Sequence, residues 1–396
     1  MTERKFIVFI FFVCLALTSC RNTSDERDPS MYYLLEDKSG RLSAEQAWAR
    51  FLKGDFEIQT GNSFNPGFTT SLYWLVIEPE ITTSHPLLLE IGTSQINKID
   101  FFVLSDHGPE LLYQSGDNHS FASRPRPSLN FTFPLDRSVG HYLAKIDKSN
   151  ESLQLTFRTA PEATLINQSM EISTTIGIMT GMIVLMLVFR FYLALITKEK
   201  VYLFYILYVA AGWLYVLSNE GFGYKFLWPD SPWLAERARP VFALVTIGLS
   251  LTFIEYYAGK APYRWLRIVT RWLAYASYLL ALIAFTPGVD LKTSAPGYYF
   301  QAVIPILVTI YIVALLITLV RKIYNGNRMA IFYLSSVAPI AVFSTLQVFY
   351  YSGGLDFSGS FLQHYGQGSG YVLEAVILTF GLAYRFNNYR REKEQL

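Results

Sequence analysis

The sequence predicts a two-part protein, in which an exported all-β domain, a sandwich of jelly-roll type, precedes an all-α bundle of seven transmembrane helices. Hydrophobic residues make up 52% of the 396 residues and charged residues only 16%, against roughly 25% in an ordinary soluble domain. The apolar excess falls almost entirely in residues 174–386, whereas residues 31–165 have the composition of a soluble domain. The first residues form an export signal, which places the β domain outside the cytoplasm.

The N-terminal segment 1–19 has the pattern of a signal peptide of lipoprotein type. A short basic region precedes an apolar run of twelve residues from Phe6 to Leu17. A helix of that length, about 18 Å, is too short to cross a hydrocarbon core of ~30 Å. The run ends in a large aliphatic residue, two small residues and Cys20, which resembles a bacterial lipoprotein box and implies lipidation of the Cys20 thiol. Ordinary cleavage near Ser19 and an uncleaved anchor are the alternatives.

The composition argues against several classes of function. The 33 basic and 31 acidic residues nearly balance, so we do not expect a nucleic-acid partner. The cysteines are Cys14 and Cys20, and signal cleavage would leave no thiol pair for a disulfide or a metal site. The predicted membrane spans hold no aspartate, and the sequence has no HExxH motif. We therefore expect a protein that is not an enzyme and needs no metal or cofactor.

A polar linker at 20–30 is followed by short strand signals within residues 31–165. Apolar and polar residues alternate with a period of two, and turn residues recur roughly every ten residues, which is typical of a β-sandwich. Ser43 and Gln46 have capping-box spacing and predict a helix over Ala44–Phe51. The predicted strands include Leu72–Ile77, Leu87–Leu89, Ile99–Leu104, Phe131–Leu135 and Leu153–Phe157.

Three residues of the β domain are candidates for binding a small molecule. Arg124 and Arg126 alternate with prolines on a stiff loop, and their guanidinium groups suit a carboxylate or a polar sugar. Trp74, beside Tyr73, offers an aromatic platform for a sugar ring. A solvated connection for the arginines and a core position for Trp74 are the alternatives. The histidines of this domain show no metal-ligand spacing.

After a short linker at 166–173, the membrane domain at 174–386 contains seven predicted spans. Six runs of 18 to 23 residues carry few charges, and this is the length that a helix needs to cross hydrocarbon. The seventh span is weaker, because it opens with glycines and contains Glu374. The predicted spans are Thr174–Ile196, Val201–Ser218, Pro240–Tyr257, Ile268–Phe285, Tyr298–Val320, Met329–Tyr351 and His364–Tyr384.

The distribution of lysine and arginine predicts the orientation of the spans. Basic residues concentrate in the loops after spans one, three and five and in the short tail at 387–396, whereas the opposite loops hold few. By the positive-inside rule these segments are cytoplasmic. An odd number of spans after an exported domain gives the same orientation. We expect a multi-pass protein of the bacterial cytoplasmic (inner) membrane, surrounded by membrane lipid, with a periplasmic β domain.

Ionisable residues inside the spans are candidates for function. Glu374 is the best of them, because it lies near the middle of span seven, where it could hydrogen-bond across helices or bias a conformational switch. Arg190 lies two turns from the cytoplasmic end of span one and can extend to the interface. Glu255, at the inner end of span three, can reach water or Lys260.

Five stretches, taken in order, are similar to those of a known family. They are Tyr33–Asp37, Tyr73–Leu75 and the Arg124 loop leading into Asn130–Leu135 in the β half, and Val201–Tyr208 and Asn219–Pro229 in the membrane half. These stretches, together with a β domain followed by membrane spans, resemble the bacterial seven-transmembrane receptors with diverse intracellular signalling modules, the 7TMR-DISM family. The resemblance covers about residues 31–390. It implies an extracellular jelly-roll domain related in shape to carbohydrate-binding modules.

Two features depart from the family pattern. Relatives continue past the seventh span into a histidine kinase, a diguanylate cyclase or a similar output module, whereas this sequence stops at Leu396. A lipoprotein box is also not a defining feature of the family. The resemblance therefore implies a receptor that binds a small molecule, with a carbohydrate among the options, and that signals to a separate cytoplasmic kinase, cyclase or regulator. It leaves open whether the receptor is a homodimer.

Two other classes of function are compatible with a binding domain on membrane helices. One is a transporter or transporter subunit, but transporters tend to show inverted repeats and broken helices. This sequence has no convincing internal repeat, and only Pro305 and Pro339 interrupt spans. The other is a membrane-anchored adhesion protein, for which seven spans are more than an anchor needs.

Lipidation of Cys20 can be tested directly. Cells that express the protein and take up radiolabelled fatty acid should label it, and Cys20→Ala should abolish the label, because the thiol is the attachment point. Labelling that persists in Cys20→Ala would show that the lipoprotein box is not used.

Overall fold

The structure is a computed structural model. It describes residues 30–80, 85–105, 107–136, 138–291, 294–355 and 361–394, with side chains in the last helix described as far as residue 382. The predicted signal peptide at 1–19, the Cys20 lipidation site and all but the last residue of the linker at 20–30 lie outside the described residues.

Ten strands in the described residues form two antiparallel sheets, which confirms the predicted β-sandwich. The larger sheet has the order β2-β1-β4-β9-β6-β7, and the smaller one has the order β3-β10-β5-β8. The strands are β1 Met31–Asp37, β2 Glu57–Ile58, β3 Ser63–Thr69, β4 Leu72–Glu78, β5 Leu87–Ile91, β6 Lys98–Ser105, β7 Gly108–Ser115, β8 Phe131–Leu135, β9 Tyr142–Asp147 and β10 Glu151–Pro161.

The central strand β4 is buried on both faces, because it lies between two apolar layers. Leu75 and Ile77 point into the core between the sheets, and Trp74 and Val76 point to the opposite face, under helix α1 (Ala44–Leu52). The alternation of side chains along a strand requires this division. The predicted capping box of α1 is confirmed, since Ser43 and Gln46 exchange side-chain and backbone hydrogen bonds.

Seven long helices in the described residues form the second part of the molecule. Six of them, α2 to α7, are long and apolar enough to cross a membrane. The last helix packs against α7, α2 and α3 and completes the bundle. The helices are α2 Glu162–Thr197, α3 Lys200–Asn219, α4 Pro232–Ala258, α5 Arg264–Phe285, α6 Ala295–Tyr324, α7 Arg328–Tyr351 and α8 Phe361–Glu394.

Residues 166–173, which the sequence analysis assigns to a short linker, are helical and belong to α2. The helix begins at Glu162, directly after the last residue of β10. Nothing between Glu162 and the apolar span breaks a helix, and Arg158 of β10 donates a hydrogen bond to Gln168 Oε1 at 2.5 Å. The sandwich and the first membrane helix are therefore joined without a flexible connection.

Gly67 on β3 lies where the sandwich meets the loop between α7 and α8. Its φ is +75°, and a Cβ atom there would lie 2.8 Å from the carbonyl oxygen of Ser352. Both the backbone conformation and the close approach require glycine.

Gly67→Ala should therefore lower the free energy of unfolding of the full chain by about 1–3 kcal/mol, measured as a lower melting temperature in lipid nanodiscs. Gly61→Ala is the matched control, because a Cβ atom at Gly61 meets nothing within 4 Å. Equal melting temperatures for the two variants would show that the sandwich does not contact this loop.

Candidate functional site at the domain junction

The β domain is fixed to the helix bundle by a buried ionic cluster. One carboxylate oxygen of Glu151, the first residue of β10, forms an ion pair with Lys148 Nζ at 3.2 Å and accepts a hydrogen bond from Arg239 Nη2 of α4 at 2.9 Å. The side chains of Lys148 and Glu151 are 1% and 5% exposed. Charges this deeply buried persist only when they are paired. We call Lys148, Glu151 and Arg239 the junction triad.

The C-terminal end of α3 makes a second contact with the sandwich. Ser94 Oγ donates to the carbonyl oxygen of Asn219 at 3.1 Å, and Gln95 Nε2 donates to that of Ser218 at 2.5 Å. The last carbonyl groups of a helix have no partner within the helix, so these side chains supply the missing donors. Further along the chain, Tyr224 donates to the carbonyl oxygen of His119.

The loop between α7 and α8 makes the third contact. Asn65 Nδ2 of β3 donates to the carbonyl oxygen of Tyr350 at 2.8 Å, and Ser152 Oγ donates to that of Tyr351. The ends of α3 and α7 are also linked to each other, because Tyr351 donates to Asn219 Oδ1 at 2.8 Å. The sandwich therefore contacts the ends of α3 and α7 in addition to Arg239 of α4.

The predicted ligand residue Arg124 is part of this junction. Its guanidinium group donates to the carbonyl oxygens of Ser94 at 2.8 Å and Leu129 at 2.5 Å. It also lies 4.1 Å from the ring centroid of Phe131 and 5.7 Å from that of Tyr224. Burial lowers the pKa of Arg124 to about 10, so the group stays charged at neutral pH.

The structure does not bring the predicted ligand residues together. Arg126 lies at the surface and pairs with Glu162 at 3.2 Å, whereas Arg124 turns inward, so the two guanidinium groups cannot serve one ligand in this arrangement. Trp74 is 1% exposed beneath α1, which fits the core position that the sequence left as the alternative to a sugar platform.

A different part of the sandwich forms an open groove of about 620 Å³. Its walls carry three carboxylates, Glu36, Asp55 and Glu57, together with the aromatic side chains of Phe64 and Phe68. Carboxylates next to aromatic rings suit a polyhydroxylated molecule, because hydroxyl groups donate to the carboxylates while the carbon face of a sugar packs on a ring. No local pattern in the sequence indicates this groove, since its residues come from strands that meet only in the fold.

Glu374 of α8 is completely buried in the helix bundle. Tyr208 of α3 directs its hydroxyl at both carboxylate oxygens, at 2.8 and 2.9 Å. Among the described residues, Tyr208 is the one hydrogen-bond donor to this carboxylate. This contact is a hydrogen bond between α3 and α8, whereas a role of Glu374 in a switch stays a prediction.

The other intramembrane charges differ from expectation. Arg190 does not extend to the interface, because its side chain turns into the bundle, where it is 1% exposed and lies 5.5 Å from the ring centroid of Tyr205. Glu255 pairs with Arg271 of the neighbouring helix α5 at 2.6 Å rather than with Lys260. Each of these side chains contacts a residue on a neighbouring helix, and the spacing of residues in the sequence does not predict either contact.

A cavity of about 150 Å³ lies between the sandwich and the helices. Glu151 and Arg239 line its outer end, and Tyr208 and Tyr371 line its inner part. The cavity therefore extends from Glu151 and Arg239 to Tyr208, whose hydroxyl donates to Glu374. Phe68 lines both this cavity and the groove on the sandwich. Among the described residues, no cluster of three or more His, Cys, Asp or Glu side chains could hold a metal ion.

An antiparallel sandwich anchored on a bundle of apolar helices, with buried ionic contacts between them, defines a membrane protein with a rigidly attached external domain. A family model described as 7TM diverse intracellular signalling matches residues 173–385, and one described as 7TMR-DISM extracellular 2 matches residues 28–160. The first match covers more than half of the chain, so the chain belongs to the 7TMR-DISM family, and the sandwich is its extracellular domain. A search of curated proteins finds no match to this chain.

The junction triad can be tested with a double-mutant cycle. Glu151→Gln leaves the buried Lys148 and the partly buried Arg239 without their shared counter-charge, and breaking a buried pair costs about 3–5 kcal/mol. Arg239→Gln removes one of the two cations. Because the residues share one interaction, the effect of the double variant on the free energy of unfolding should be well below the sum of the single effects. Additive effects would show that the two side chains do not interact.

Proposed function

We propose that the protein is a signal-transduction receptor of a bacterial cytoplasmic membrane, with its sandwich in the periplasm and the end of α8 in the cytoplasm. The sandwich binds a small molecule, the helices move in response, and α8 presents the change to a cytoplasmic kinase, cyclase or regulator. In this proposal the chain binds a small molecule and relays the resulting conformational change, and it does not catalyse a reaction. The basic residues of the cytoplasmic loops support this orientation.

The junction triad is the observation that carries the proposal. A ligand changes a receptor only if it binds one conformation more tightly than another. Because Glu151 ties β10 to α4 and β10 continues into α2, a movement of the sandwich cannot occur without a movement of these helices. The contacts at the ends of α3 and α7 extend the same constraint to two more helices.

We place the small molecule in the groove on the sandwich rather than on the Arg124 loop. The guanidinium group of Arg124 already bonds three backbone carbonyl groups, whereas the groove offers exposed carboxylates and aromatic rings. This chemistry favours a carbohydrate or another polyol. A ligand in the groove would touch Phe68, which also lines the cavity above the helices.

In-cell photo-cross-linking tests the proposal. A photoreactive amino acid at Tyr389, near the end of α8, should capture a cytoplasmic signalling protein, and the yield should change in an Arg239→Gln background, because that variant breaks the junction on the opposite side of the membrane. Arg126→Gln is the matched control, since its ion pair with Glu162 is largely exposed and contributes little.

Three results would contradict the proposal. Capture of periplasmic proteins at position 389 would reverse the orientation. Capture of only the protein itself would contradict the proposal that α8 contacts a separate cytoplasmic signalling protein. A yield that is identical in the wild type and in Arg239→Gln would show that the junction does not communicate with the cytoplasmic end of α8.

A further inference from the structure

The cavity between the sandwich and the helices has an uneven distribution of polar groups. Side-chain amides and hydroxyls lie at its outer end, where Gln301 is near the start of α6 and Gln347 and Tyr351 are near the end of α7. The inner walls combine aliphatic side chains such as Val308 with the rings of tyrosines, and the hydroxyls of Tyr208 and Tyr311 are already bonded to Glu374 and Ser250. An occupant would therefore place a polar group outward and an apolar body inward.

Gln301 is the side chain that most strongly indicates a ligand. It is 7% exposed and faces the cavity. Among the described residues, no hydrogen bond joins the Gln301 side chain to another group, and Oε1 of Gln367, which also lines the cavity, is buried without a partner. Buried polar groups in native proteins are almost always hydrogen-bonded, because leaving one unpaired costs stability. A buried amide that faces a cavity is explained if a bound molecule supplies its partner.

The charges at the outer end indicate that this molecule is uncharged. Arg239 is the cation of the cavity wall, and it is already paired with Glu151 at 2.9 Å. The remaining polar groups of the wall are amides and hydroxyls, which bond neutral groups without the desolvation cost of a buried ion. The volume of about 150 Å³ is comparable to that of an engineered cavity that admits benzene, which limits the occupant to a small molecule.

We infer that this cavity is a second ligand site, separate from the groove on the sandwich, which binds a small uncharged amphiphile with one hydroxyl or carbonyl group on a compact apolar body. The polar group bonds Gln301, and the apolar body packs between α4, α6 and α7 toward Tyr208. An occupant would therefore contact the residue that bonds Glu374. Binding at this site does not depend on the proposal that the sandwich senses a ligand.

Thermal unfolding of the purified full-length protein in nanodiscs tests the site with three probes of similar size. Benzyl alcohol has the apolar body and the hydroxyl, toluene lacks the hydroxyl, and benzoate is charged. Benzyl alcohol should raise the melting temperature in a saturable way, because a ligand that binds only the folded state stabilises it. Toluene should act more weakly, and benzoate should have no saturable effect.

Variants test whether the rise in melting temperature caused by benzyl alcohol comes from binding in the cavity. Val308→Phe fills the cavity and should abolish the response to benzyl alcohol, whereas Val313→Phe, on the exposed face of the same helix, should keep it. Gln301→Met keeps the length of the side chain but removes the amide, so it should weaken binding about five- to tenfold. Without a probe it should melt no lower than the wild type, because it removes an unpaired polar group.

Two results would overturn the inference. An equal response of the wild type and Val308→Phe would show that benzyl alcohol acts through the lipid. Unchanged affinity in Gln301→Met, checked with Gln301→Leu, would show that the amide does not recognise the ligand. The cross-linking experiment at Tyr389 is unaffected by either result, so failure of this site and failure of the receptor proposal can be distinguished.

Discussion

The carboxylate of Glu151 is the charge on which the union of the two domains depends. It is 5% exposed and forms ion pairs with two cations, Lys148 of the sandwich and Arg239 of the membrane domain. Without it, Lys148 would be a buried cation without its neighbouring anion, which is among the most unfavourable situations in a folded protein. Because Glu151 begins the strand that leads into α2, the covalent and the ionic links between the domains lie on the same element.

The same constraint connects the surface of the sandwich to the centre of the bundle. Arg239 lines the cavity, the cavity extends to Tyr208, and Tyr208 bonds Glu374. A carboxylate can accept more hydrogen bonds than one hydroxyl can donate. A displacement of α3 relative to α8 would change this hydrogen bond, and the role of Glu374 in a conformational switch stays a prediction.

The features that could be predicted from the sequence are those encoded over short distances. The strands follow from alternation over a few residues, the cap of α1 follows from Ser43 and Gln46, and most of the spans follow from long apolar runs. The junction triad could not be predicted, because Glu151 and Arg239 are 88 positions apart and neither has a local signature. The Arg124 loop suggests a ligand site because the chemistry of an arginine is visible in a sequence, whereas the backbone carbonyl groups that surround it in the fold are not.

Local sequence also could not predict where α2 begins or where the Arg190 side chain points. Residues 166–173 have the polar composition of a linker, yet they form a helix, and one of their side chains, Gln168, accepts a hydrogen bond from Arg158 of the sandwich. Arg190 lies two turns from the predicted cytoplasmic end of its span, which suggests an interfacial side chain, but the side chain turns into the bundle toward the ring of Tyr205 on α3. In each case a tertiary contact decides between two interpretations that are equally consistent with the local sequence.

The distance between two helix ends on the side of the bundle opposite the sandwich tests the central claim most directly. Spin labels on Lys198→Cys and Tyr389→Cys, in a chain whose Cys14 and Cys20 are replaced, report the separation of the ends of α2 and α8 in nanodiscs by pulsed electron spin resonance. If the junction triad sets the arrangement of the helices, Arg239→Gln on the outer side will shift this distance distribution, and Arg126→Gln will not. An unchanged distribution in Arg239→Gln would contradict the account, because the sandwich would then rest on the helices without controlling them.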